Sequence, residues 1–237
     1  MKKIILILFL FSLCISCYYI YKLTDDTRLT IAAIGDSIGN INKIRNEKNI
    51  KNFNNQFINK QYMVKDILNV VKYNEEKIID NKNLSIHKIL KESDILIISV
   101  GMNDIYYKLN DSTKEIYTYL NEIINNYEEL LKEVSKYNYR QVYILGYYNI
   151  TNKNNDIFTY INYKLKKTVD KYKYTYIELS DVLYNNKNYY KTSNKYDLNN
   201  EGYAQILKII VEKIKKTWYN IKCIYYYDLY WSWRKEK

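Results

Sequence analysis

Leu29-Thr30-Ile31-Ala32-Ala33-Ile34-Gly35-Asp36-Ser37 is the stretch that decides how this chain folds. Its apolar part, Leu29 to Ile34, alternates little, as expected of a central parallel strand covered on both faces. The strand must stop at Gly35-Asp36-Ser37. Open α/β sheets place their ligands at this carboxyl edge. A serine hydroxyl at a sharp strand exit can attack a carbonyl carbon, provided that a base takes its proton and donors receive the oxyanion. The same three residues also fit a plain turn in which Ser37 caps a helix.

Outward from this stretch, the apolar run Asp94 to Val100 ends in a second polar exit, Gly101-Met102-Asn103-Asp104. Here the side-chain amide of Asn103 suits an oxyanion donor, and an Asx turn closing the strand is the plainer reading. Shorter runs recur at Lys77 to Ile79, Gln141 to Leu145 and Tyr174 to Leu179, with helix-like segments between them. Such alternation predicts a single three-layer α/β/α domain over residues 28–219, with a parallel sheet of about five strands. The helix from Ser112 has Glu115 at its capping-box position and a stripe of Ile116, Leu120, Ile123, Ile124, Tyr127, Leu131 and Val134. A last helix opening near Asn200 carries Tyr203, Ile206, Leu207, Ile210, Val211 and Ile214 at intervals of three and four. Asn40 to Asn59, polar and rich in Asn, reads as a loop with a partial helix over the first strand's exit. Gly35-Asp36-Ser37-Ile38-Gly39 lacks both the dinucleotide fingerprint and the lysine of a phosphate loop, which argues against a flavodoxin-like nucleotide binder.

The two ends of the chain carry different information. Lys2-Lys3 precedes an apolar run from Ile4 to Ile20, so residues 1–22 read as a signal peptide, a lipoprotein leader or an N-terminal membrane anchor, with the remainder outside the cytoplasm. Cys14-Ile15-Ser16-Cys17 offers Cys17 for lipid attachment, or supplies two ordinary apolar residues of an anchor. Only Cys223 lies beyond them, so a cleaved form has no internal disulfide and the cysteines indicate no metal site. Residues 220–237 form an aromatic and basic tail with Trp231, Trp233, Arg234 and Lys235, suited to packing on the domain or to an interfacial membrane contact. The formal charge of +11 comes almost entirely from lysines scattered among acids, with only Arg28, Arg45, Arg140 and Arg234. That pattern argues against a nucleic-acid partner. Abundant Lys, Asn, Ile and Tyr with no Pro follow A/T-rich codons and say little about function. No feature of the sequence fixes an oligomeric state.

The two exits, in this order, resemble the motifs of the SGNH or GDSL-like hydrolases, a family of esterases and lipases on a flavodoxin-like three-layer fold. Gly35-Asp36-Ser37 resembles the block that carries the nucleophile, and Gly101-Met102-Asn103-Asp104 resembles the block that supplies an Asn to the oxyanion hole. A third stretch, Leu198-Asn199-Asn200-Glu201-Gly202-Tyr203, looks like the segment that follows the catalytic histidine, and Gly146-Tyr147-Tyr148-Asn149 is similar to what bacterial members show. The likeness extends over most of the chain after its leader. It implies Ser37 as nucleophile, Asn103 and the Ser37 N–H as oxyanion donors, and Asp36, Gly101 and Asp104 at the substrate site.

The chain departs from the family pattern at its base. Counting back from Gly202-Tyr203, the histidine position holds Asp197, and the aspartate three residues earlier is Asn194. An aspartate with an ordinary pKa of about 3.9 is a poor base for a serine hydroxyl and is shorter than imidazole. The sole histidine, His87, belongs by its neighbours Ile86, Ile89 and Leu90 to a helix after the second strand. The glycine usual after that strand is missing as well, with Asn83 and Leu84 nearest its place. The resemblance therefore implies a serine esterase or acylhydrolase acting on a small-molecule or envelope ester, with no metal or organic cofactor, Asp197 as base and Asn194 as its orienter. The alternative is a catalytically weakened pseudoenzyme of the same fold that binds envelope glycan or lipid.

Overall fold

The decisive apolar run is strand β1 (Leu29–Gly35), flanked in the sheet by β2 (Ile50–Ile58) on one side and β3 (Ile95–Ser99) on the other. The structure is a computed structural model that describes residues 29–36, 50–58, 62–73, 85–109, 113–137, 139, 141–149, 154–184, 186–190 and 198–216. Between β2 and β3 come helices α1 (Val64–Tyr73) and α2 (Ile86–Glu92); after β3 come α3 (Met102–Lys108), α4 (Thr113–Val134) and β4 (Gln141–Leu145). The chain continues through α5 (Asn155–Lys171), β5 (Thr175–Ile177), α6 (Ser180–Leu183) and a closing helix α7 at 200–216.

All five strands are parallel, in the order β2-β1-β3-β4-β5. This is the flavodoxin-like order, in which the switch point falls between β1 and β3. Ile31 to Ile34 and the whole of β3 are buried, as continuous apolar strands in a doubly covered sheet must be. Helices α1, α4 and α5 pack side by side. The Tyr143 Oη of β4 donates to the Lys213 carbonyl at 3.4 Å, so α7 lies over β4. The expected α4 stripe is buried from Ile116 to Val134, with Leu120, Tyr127 and Leu131 fully enclosed. Burying a leucine of this kind contributes about 1.5 to 3 kcal/mol.

One expectation is overturned. Residues Asn40 to Asn59 are not all loop, because Ile50–Ile58 forms β2 and pairs with β1 over its length. Residues 40–49, and the run Lys77 to Ile79 expected as a strand, lie outside the described residues, as do residues 1–22, expected as a leader or anchor, and residues 220–237, expected as a tail. Among the described residues no helix is long and apolar enough to cross a membrane.

Candidate active site

Strand register brings the two polar exits together. Gly35 pairs with Ser99, so β1 and β3 end level and their continuations leave the sheet side by side at the carboxyl edge. The approach is so close that a Cβ on Gly35 would lie 1.7 Å from the Ser99 carbonyl oxygen, and Gly35 itself has φ +143°. Both facts demand glycine. The Asp36 N–H then donates to the same carbonyl at 2.7 Å.

Asp36 is buried, and its carboxylate closes the second half of the clamp. Its Oδ2 accepts from the Gly101 N–H at 2.9 Å and from the Asn103 N–H at 3.4 Å. A carboxylate at the first turn of α3 satisfies helix-end donors that have no intrahelical partner. Gly101, in the left-handed region at φ +111°, leaves no room for a side chain, since a Cβ would meet Tyr147 Oη at 2.3 Å. Tyr147 is held in turn by the Asn162 amide of α5, which accepts from its N–H and donates to its carbonyl, both at 2.8 Å. The exit of β4 is thereby fixed beneath the exit of β3.

Asn103 and Asp104 both reach the segment that opens α1. Asn103 Nδ2 donates to the Tyr62 carbonyl at 3.0 Å, and the Val64 N–H donates to Asp104 Oδ2 at 3.0 Å. Because β2 is Ile50–Ile58, the place after the second strand is 59–63 and not Asn83 and Leu84, and Tyr62 from this place sets the direction of the Asn103 amide. Burial pushes the Asp104 carboxyl up to about 6, outweighing the backbone donors that favour its charge.

That shift has a sign that can be measured. The folded state holds the Asp104 proton more tightly than the unfolded chain, so this residue's contribution to stability falls as pH rises from about 4 to about 6. Two units correspond to about 3 kcal/mol at most. Asp104→Asn should flatten this part of the profile, and the gap between variant and native unfolding free energies should move in the variant's favour from pH 4 to pH 7. Urea unfolding of both proteins across that range checks it; parallel profiles would refute the assignment.

The third block is anchored by the same kind of backbone bonding. Buried Leu198 bridges to Tyr190, the Asn199 N–H donates to the Tyr189 carbonyl at 2.8 Å, and Asn199 Oδ1 caps α7 by accepting from Glu201 and Gly202 at 2.9 and 3.0 Å. The Asn-x-Glu-Gly pattern carries this cap in plain sight. Ser37, Asn194 and Asp197 lie outside the described residues, each next to one that is described or a few positions away. His87 is on α2 as expected, and its Nδ1 shares a hydrogen bond with Tyr137 Oη. Tyr137 stands between the end of α4 and the start of β4, so His87 is engaged at the amino edge, away from the strand exits. Among the described residues no three His, Cys, Asp or Glu side chains gather as a metal site.

No protein-family model matches the chain, and no curated protein matches its sequence. Solved structures do share its fold. A lipase from a goat rumen metagenome is 15% identical with a TM-score of 0.61, covering 78% of this chain and 96% of its own. The acetylxylan esterase of Geobacillus stearothermophilus is 13% identical with a TM-score of 0.58, over 78% of this chain and 94% of that one. Catalytic mutants of that esterase, with a serine, a histidine or an aspartate changed to alanine, superpose equally well. Together with the strand order, these likenesses define an SGNH-hydrolase-like fold.

Proposed function

We propose that the protein is an SGNH-type serine esterase or acylhydrolase acting on an ester outside the cytoplasm, held at the membrane by residues 1–22. The observation that supports this reading is the pairing of Gly35 with Ser99, with Asp36 bound to the Gly101 and Asn103 backbone N–H groups, which ties the exit of β1 to the start of α3. The lipase and the acetylxylan esterase that share the fold support an ester as substrate.

Ser37 Oγ attacks the ester carbonyl carbon while its proton passes to the Asp197 carboxylate, which Asn194 orients. Negative charge then collects on the carbonyl oxygen, where the Ser37 N–H and the Asn103 side-chain amide receive it. Collapse expels the alcohol with the proton from Asp197, and water releases the acyl group by the same steps in reverse. Asp36, Gly101 and Asp104 hold the donors in place, and the reaction needs no metal or organic cofactor. Roughly 10³ to 10⁴-fold acceleration survives from binding and the oxyanion hole alone when a triad is disarmed.

A second reading is a pseudoenzyme that binds glycan or lipid in the same cleft. It is favoured by the replacement of both base positions, with the sole histidine engaged at the amino edge. A fluorophosphonate probe decides between them at the nucleophile. The native chain should be labelled and Ser37→Ala should not; equal labelling of the two removes Ser37 from the reaction.

A further inference from the structure

A groove of about 500 Å³ opens between the first three turns of α5 and the segment that leaves β5 through α6, on the flank of the strand exits. Its volume is that of a small-molecule site. Asn149 forms part of its wall, directly after Tyr148, whose carbonyl accepts from Tyr106 Oη of α3, the helix that carries Asn103. The groove and the candidate active site thus share one scaffold at the carboxyl edge.

We propose that this groove binds a neutral saccharide. Its walls mix donors and acceptors: the Asn149 amide donates to Asn155 Oδ1, and Asn155 Nδ2 donates to Tyr184 Oη at 3.1 Å. Tyr184 accepts there, which leaves its own proton to donate into the groove. Lys166 and Asp181 also line it and hydrogen-bond to no other described residue. Sugar hydroxyls donate and accept at once, so a lining of both kinds suits them.

Two tyrosine rings add the flat apolar surface that the C–H face of a pyranose needs. Tyr163 on α5 and Tyr184 after α6 are 63% and 41% exposed, among the few large hydrophobic side chains that the described surface leaves open. An aromatic ring with a polar tip, left in water on opposite walls of a polar groove, is suited to a ligand that is wet on its rim and apolar on its face. Charge excludes the competitors. Glu178 and Asp181 against Lys166 alone disfavour phosphate or a carboxylate ligand.

The binding claim stands on the groove; only its consequence, that the bound sugar carries the ester, rests on the esterase reading. The test titrates the full-length protein in detergent, as Ser37→Ala to prevent turnover, with xylotetraose, cellotetraose and chitotetraose, using inorganic phosphate as control. At least one tetrasaccharide should bind with a Kd of about 1 mM or tighter. Tyr184→Ala and Asp181→Ala should each weaken it at least tenfold, and both sites are exposed, so thermal midpoints should not move. No tetrasaccharide binding, binding indifferent to both substitutions, or a preference for phosphate would overturn the proposal. Hydrolysis of p-nitrophenyl acetate by the protein with Ser37 intact reads the other question: saccharide binding without turnover of that ester keeps the groove and refutes the esterase.

Discussion

Gly35→Ala should leave the chain unable to hold its native sheet. The new Cβ would sit 1.7 Å from the Ser99 carbonyl oxygen and 2.4 Å from the carbonyl carbon, both backbone atoms of the neighbouring strand. No rotamer relieves such an overlap; β1 and β3 must part or slip. At φ +143° the alanine also carries backbone strain of about 1 to 3 kcal/mol. Parting the central strands exposes the fully buried Ile31 to Ile34 and breaks the bond from Asp36 to Ser99, so a loss above about 5 kcal/mol is expected, comparable with the whole stability of many domains. Gly101→Ala is the informative control, since its worst contact is with the tip of the Tyr147 side chain. Pairing it with Tyr147→Phe removes that oxygen, which has no hydrogen-bond partner among the described residues, and should recover part of the loss. No side-chain deletion rescues Gly35→Ala. Urea unfolding followed by circular dichroism measures all of these, and a Gly35→Ala midpoint close to the native one would show that the two strands do not approach as described.

The parts of the fold that were legible are those where local pattern and burial agree. Ile31 to Ile34, β3 and β4 are apolar because helices cover both their faces, and the α4 stripe follows a period of 3.6 because one face meets its neighbours. β2 was hidden for a physical reason. It is an edge strand of the described sheet, and its sequence Ile-Lys-Asn-Phe-Asn-Asn-Gln-Phe-Ile, without alternation and rich in Asn, has weak intrinsic preference for a strand, so its conformation comes from pairing with β1. Missing it displaced the loop that follows, and Tyr62 as partner of Asn103 could not be anticipated. Asp36 shows the same limit. Its place beside Ser37 was visible, but its bonds to residues 101 and 103 depend on the level at which β1 and β3 end. Asp104 and Val64, like His87 and Tyr137, are far apart in sequence and meet only through packing.

Asp197→His should raise esterase activity by at least 10² in kcat/KM on p-nitrophenyl acetate. Imidazole, with a pKa of about 6.5 against about 3.9 for the carboxylate, is the stronger base near neutral pH and reaches further toward the serine hydroxyl. General base catalysis contributes about 10² to 10⁴-fold, so a hundredfold gain, about 2.7 kcal/mol of barrier, is the lower end of what a well-placed histidine supplies. Asn194→Asp on top of it should add more, because the carboxylate behind the histidine fixes its tautomer, and replacing such a carboxylate by an amide costs about 10⁴ in kcat in a serine protease. Three features separate a restored triad from a merely perturbed site. The gained activity should titrate with an apparent pKa near that of histidine, Ser37→Ala should abolish it, and Tyr184→Ala should leave it in place with this small ester. Leu198 bridges to Tyr190 and the Asn199 N–H donates to the Tyr189 carbonyl, while Asn199 Oδ1 accepts from the Gly202 N–H, which together hold the start of α7. If the double variant folds, still takes the fluorophosphonate label and hydrolyses no faster than the native chain, position 197 does not face Ser37 and the base of this site has to be sought elsewhere.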